Sequence, residues 1–63
     1  MRVSDMARKA GTTTETVRHY TDIGLLQPAR DPNNGYRRYG NTDLRLLRFA
    51  LKARHLGFTL ADI

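Results

Sequence analysis

The spacing of apolar positions shifts from helical to extended and back to helical along the chain, and each shift marks an element. Val3, Met6, Ala7 and Ala10 recur at three- and four-residue intervals, which places them on one helix face. They predict a first helix over Asp5 to Ala10 with that face turned inward. Ser4 is its expected N-cap, the hydroxyl accepting an N–H left unpaired in the first turn. Asp5 suits the positive end of the helix, and Gly11 supplies the left-handed residue that closes many helices. A second helix follows at once. Thr12 with Glu15 has capping-box spacing and Thr13 is the later alternative; Thr13 is the expected cap, with Thr12 filling the turn. This helix continues through Val17 and Tyr20 and stops before Gly24. Two short helices joined by a tight glycine-containing turn form a helix-turn-helix.

Pro28 forbids helical continuation. Ala29-Arg30 and Tyr36-Arg37-Arg38-Tyr39 read as two short strands around Asp31-Pro32-Asn33-Asn34-Gly35, where Asn-Gly is a strong hairpin signal because it tolerates positive φ. The strand period of two sets Tyr36 and Arg38 on one face and Arg37 and Tyr39 on the other. The third helix is expected from Asp43 to Leu56, capped by Asn41 or Thr42. Leu44, Leu46, Leu47, Phe49, Ala50, Leu51, Ala53 and Leu56 cover a wide arc of it, and Arg45, Arg48, Lys52 and His55 the narrow remainder. Arg54 breaks the pattern by projecting from within the apolar arc. Gly57 ends that helix, and Thr59, Asp62 and the pair Phe58 and Ile63 write the start of a fourth. The expected fold class is mainly α: a winged helix-turn-helix with a two-stranded β wing, a third helix and a truncated fourth. It forms one domain over residues 1–63, and the unfinished helix marks a fragment of a larger protein.

Size narrows the chemistry. A domain of 63 residues buries only about 60% of the surface its unfolded chain exposes, which leaves little room for a deep catalytic cleft. The chain has no cysteine, so disulfides and thiolate metal sites are excluded. No apolar run approaches the ~20 residues of a membrane span, and the start lacks a secretory pattern, so the expected location is cytoplasmic. No nucleophile–base pair, carboxylate pair or phosphate-cradling glycine loop is visible, and the chain reads as no enzyme, with no cofactor.

Charge carries more. Eleven Lys and Arg face six Asp and Glu, for a net charge of +5, and nine of the eleven are arginine. From Ala29 to His55 seven cations stand against two anions. A localised basic excess points to a polyanionic partner, a solvated basic surface being the alternative. Arg18 at the start of the second helix fits contact with base edges and phosphates. For Thr14 and Thr16 such contact and a merely solvated face are both open. Three arginines and two tyrosines on the hairpin favour a strand pair lying along a phosphate backbone over a purely structural one. Arg54 meets either a carboxylate such as Asp43 or a DNA phosphate. His19 and His55 lack metal-ligand spacing and read as surface or backbone-contacting histidines.

Taken together, the segments resemble the N-terminal domain of the MerR family of bacterial transcription regulators. The resemblance is carried by Val3-Ser4-Asp5-Met6-Ala7, Thr16-Val17-Arg18 with Tyr20, and Ile23-Gly24-Leu25-Leu26. Asn34-Gly35-Tyr36-Arg37-Arg38-Tyr39, Asp43-Leu44 to Ala53-Arg54 and Leu56-Gly57-Phe58 complete it, so that it spans essentially the whole chain. It implies sequence-specific binding of double-stranded promoter DNA, distorted in response to an effector so that RNA polymerase can use it, by a homodimer of the full-length protein. It places Thr14, Thr16 and Arg18 in the major groove, Tyr20, Arg37 and Arg54 at phosphates, and Tyr36 and Arg38 along the backbone from the wing. Arg30 and His19 complete the candidate DNA-binding set. His19 departs from the aromatic usual in the family, and Thr21 from the usual Glu. An excisionase-like architectural DNA-bending protein is the alternative, which the unfinished fourth helix disfavours.

Overall fold

The computed structural model describes residues 1–58. Three helices and one hairpin follow in the order α1 (Val3–Ala10), α2 (Thr14–Asp22), β1 (Ala29–Arg30), β2 (Arg37–Arg38) and α3 (Asn41–His55). The strands pair antiparallel, Ala29 opposite Arg38 and Arg30 opposite Arg37. The expected fourth helix, with Thr59, Asp62 and Ile63, lies outside the described residues.

Helix starts differ from expectation for one reason. Ser4 does not cap α1; the helix begins two residues earlier than expected, at Val3, with Arg2 as the N-cap residue. Asp5 therefore occupies the third helical position, where its carboxylate accepts the Arg2 N–H at 3.1 Å. The same device starts α3. Neither Asn41 nor Thr42 is the cap; Gly40 is, and Asp43 at the third helical position accepts the Gly40 N–H at 3.0 Å. In both cases a carboxylate reaching back three residues to the cap outcompetes the expected side-chain caps, which lie one or two residues after it, since an ionised acceptor makes the stronger bond. α2 starts as expected, with the Thr13 hydroxyl accepting the Thr16 N–H at 3.2 Å.

Gly11 takes the left-handed conformation at φ 71°, and the turn is closed by the Thr12 N–H donating to the Ala7 carbonyl at 2.9 Å. A side chain at Gly11 would be strained there. The hairpin loop is wider than an Asn-Gly turn: the Asp31 N–H bonds the Tyr36 carbonyl and the Gly35 N–H bonds the Asp31 carbonyl, each at 2.8 Å. Gly35 alone takes positive φ, at 73°. The Asp31 and Asn34 side chains accept the N–H groups of Asn33 and Tyr36, which supplies the local bonds that a loop rich in Asp and Asn favours.

Met6, Ala7, Val17, Tyr20, Leu26, Tyr39, Leu44, Leu47 and Ala50 form one buried cluster, with Val3, Ala10, Leu25, Leu46 and Leu51 packed against it. Met6, Val17, Leu26 and Leu47 are fully enclosed, each side chain contributing about 1.5–3 kcal/mol by its removal from water. The apolar arc expected on α3 is wider than the face it buries: Phe49 and Leu56 are exposed. Tyr39 is 2% exposed, so the inner face of the hairpin is a core face rather than part of a polar tip. Asp43, 9% exposed, also accepts the Gln27 N–H at 3.1 Å. One carboxylate thus holds the chain both before β1 and after β2. Arg54 does not pair with it; Arg54 is exposed.

Candidate nucleic-acid interface

The N-terminal turn of α2 is built from hydroxyls. Thr13 caps the helix, and its Oγ1 lies 3.0 Å from that of Thr16, while Thr14 and Thr16 are half-buried. One turn further on, Arg18 and His19 are exposed and Val17 and Tyr20 are buried, as a 3.6-residue period requires when one face seals the core. Arg18 has no ion pair among the described residues, so its guanidinium is unengaged at the helix surface. The His19 and Tyr20 rings lie 5.5 Å apart, tilted by 57°. Tyr20 is 5% exposed. Its ring is a core residue, which leaves only the hydroxyl to meet a phosphate.

Alternation along the hairpin sorts the wing. Tyr36 and Arg38 are exposed, whereas Arg37 is half-buried beside the core tyrosine Tyr39. Each wing arginine has a loose partner. Arg37 approaches Asp22 at 3.7 Å, Arg38 approaches Asp31 at 3.8 Å, and Arg30 donates to the Gly35 carbonyl at 3.2 Å across the loop. Both ion pairs are long and each has one exposed partner, Asp22 in the first and Arg38 in the second, so they are worth little and can be exchanged for another anion. The guanidinium of Arg2 lies over the Tyr36 ring, 4.7 Å from its centre, a cation–π contact that extends basic character to the N-terminal segment.

These pieces converge. A concavity of about 540 Å³ is lined by Arg2, Val3, Ser4, Arg18, Arg30, Gly35, Tyr36, Arg37 and Tyr39. Four arginines line it and no carboxylate does. The helix-turn-helix and the wing therefore present cations to one shared space. Of the residues singled out from sequence, Arg18, Arg30, Tyr36 and Arg37 meet there. Arg38 lines a neighbouring recess with Asp31 and Asn34. Thr14, Thr16, His19, Tyr20 and Arg54 do not line the concavity. Arg2 was not singled out, and no local signal marks it: its place depends on Met1 pairing with Tyr39 through backbone bonds of 2.6 and 2.7 Å.

Asp5 lies at the edge of this region, beside Arg2, Tyr36 and Arg37. The Asp5 carboxyl is held below its ordinary value, chiefly by the Arg2 N–H it accepts; desolvation opposes this, and the nearby Arg8 cation adds a smaller lowering effect. Among the described residues no group of three or more His, Asp or Glu side chains is placed to hold a metal. No helix there is long and apolar enough to cross a membrane.

Fold and site define a winged helix-turn-helix domain. The chain belongs to the MerR family: the model of the MerR HTH family regulatory proteins matches residues 1–63. It is 40% identical over 62 residues to the transcriptional regulator HmrR of Rhizobium leguminosarum bv. viciae, covering 98% of this chain and 47% of that protein. It is 44% identical over 61 residues to the transcriptional activator TipA of Streptomyces coelicolor, covering 97% of this chain and 24% of that one. The crystal structure of HiNmlR, a MerR family regulator lacking the sensor domain and bound to promoter DNA, superposes with a TM-score of 0.88. The identity there is 32%, over 98% of this chain and 47% of the other. The chain thus spans about half the length of HmrR and about a quarter of TipA.

Proposed function

We propose that this chain binds double-stranded DNA as the DNA-reading domain of an effector-responsive transcription regulator. The α2 N-terminus, with Thr14, Thr16 and Arg18, enters the major groove, and the hairpin lies along the flanking backbone. The observation that carries this reading is the carboxylate-free concavity in which Arg18 of the helix and Arg30, Tyr36 and Arg37 of the wing come together with Arg2. Arginine forks onto phosphate and guanine alike, so one surface supplies both anchoring and base contact. Arg37 and Arg38 exchange their loosely held carboxylate partners for phosphate, the Tyr20 hydroxyl and Arg54 extend the backbone contacts, and His19 borders them. The likeness to a regulator solved on promoter DNA supports the same orientation. In its full-length setting the domain acts in the cytoplasm as part of a homodimer that presents promoter DNA to RNA polymerase, without catalytic activity of its own. The architectural DNA-bending alternative has no observation in its favour.

Binding of a mixed-sequence duplex across a salt series tests this. With about five phosphates neutralised per domain, the log–log slope of affinity against salt is about −4 to −5, a loss of a few hundredfold between 50 and 200 mM salt. A slope near zero removes the electrostatic basis of the proposal.

A further inference from the structure

The hairpin has two residues per strand, and a lone two-stranded ribbon is marginal by itself. Its orientation is therefore set by what its inner face touches. That face carries Arg37 and Tyr39, and both meet the last turn of α2. The Tyr39 hydroxyl lies 2.8 Å from the Thr21 Oγ1, and Thr21 donates its own proton to the Val17 carbonyl at 2.8 Å. Thr21 has one proton to give and a carbonyl can only accept. The direction is thereby fixed: Tyr39 donates to Thr21, which donates to Val17. One residue on, Asp22 faces Arg37 at 3.7 Å. Neighbouring residues of the helix thus grip alternate residues of the strand.

We infer that Thr21 is a positioning residue for DNA binding, its hydroxyl clasping the wing to the same helix that carries Arg18. The inference rests on the DNA-binding reading above and adds a residue that touches no DNA. The clasp fixes the distance between Arg37 and Arg18, and with it the span between the groove and its flanking backbone. The buried Tyr39 hydroxyl has no other partner among the described residues, so loss of the Thr21 hydroxyl leaves it unpaired and frees the wing to pivot.

Thr21→Val removes the hydroxyl at nearly constant shape, Thr21→Ser keeps it, and Tyr39→Phe removes the other partner. Fluorescence anisotropy with a mixed-sequence duplex reads affinity, and amide hydrogen exchange without DNA reads wing order. Thr21→Val and Tyr39→Phe are each expected to weaken binding about five- to tenfold, the worth of one buried hydrogen bond. The double variant loses no more than either single one, and Thr21→Ser stays within about twofold. In Thr21→Val the Asp31 and Tyr39 amides exchange faster while the Leu47 amide keeps its protection. Additive losses, or Thr21→Ser as weak as Thr21→Val, overturn the clasp. If the unsubstituted chain ignores the duplex, the DNA-binding reading falls, and unchanged hairpin exchange in Thr21→Val still decides against the clasp.

Discussion

Replacing Asp43 by Ala tests how the wing is mounted on the core. The carboxylate accepts two backbone N–H groups, from Gln27 at 3.1 Å and Gly40 at 3.0 Å, and is 9% exposed. Hydrogen bonds to a charged group contribute about 1.5–3 kcal/mol each when buried. Both bonds are part-buried, so water recovers some of that, and the combined loss is about 2–4 kcal/mol. A domain of 63 residues has a total stability of about 3–9 kcal/mol. The substitution therefore removes a large share of it and lowers the melting temperature by about 10 °C or more. Circular dichroism during heating and urea titration measures both quantities, and the urea slope checks that unfolding stays two-state. A loss under about 1 kcal/mol would refute the reasoning, because it would mean that water or a rearranged loop satisfies both N–H groups without cost.

Other substitutions probe the surface itself. Arg18→Ala is expected to cost about 1–3 kcal/mol of affinity and to relax base preference in a selection from random duplexes; loss without a change of preference would make Arg18 a phosphate anchor only. Arg37→Ala is expected to weaken binding to all sequences alike and to make the salt slope shallower by about one, which the anisotropy series reads. Asp5→Asn probes pH. The folded Asp5 carboxyl lies below its ordinary value of 3.8, so its contribution to stability is present above that value and is lost as pH falls through the folded one. The Asn variant should be less stable than the parent near neutral pH and converge with it in acid; curves that stay parallel would contradict this.

Patterning made the element order legible in the sequence, and local chemistry made some ends legible. Gly11, Thr13 and Ala29-Arg30 stand where their own properties place them. The misplaced starts of α1 and α3 share a physical cause: Ser4 and Asn41 or Thr42 are competent caps, yet Asp5 and Asp43 reach back three residues, to Arg2 and Gly40, instead. That choice is made by an ionised acceptor three positions beyond the cap, which cap preference alone does not weigh. Tyr39 was harder still. A tyrosine among arginines looks like a surface residue, and only the arrival of Thr21 gives its buried hydroxyl a partner. For the proposed site, spacing and charge singled out Arg18, Arg30, Tyr36 and Arg37, which line one concavity, as well as Arg38, which lines the recess beside it. The contribution of Arg2 depends on a pairing between the first residue and the end of the hairpin, 38 positions apart, which has no local signature. Phe49 and Leu56 show the limit of the wheel, which counts apolar residues but does not say how wide a face the neighbours cover.

Mapping the bound duplex onto the chain by amide chemical-shift perturbation tests most directly whether helix and wing make one surface. Shifts are expected together at Thr14 to Arg18 and at Gly35 to Arg38, with Arg2 moving alongside them. Perturbations confined to the outer α3 face of Arg45, Arg48 and Lys52, with α2 and the hairpin silent, would contradict the assignment.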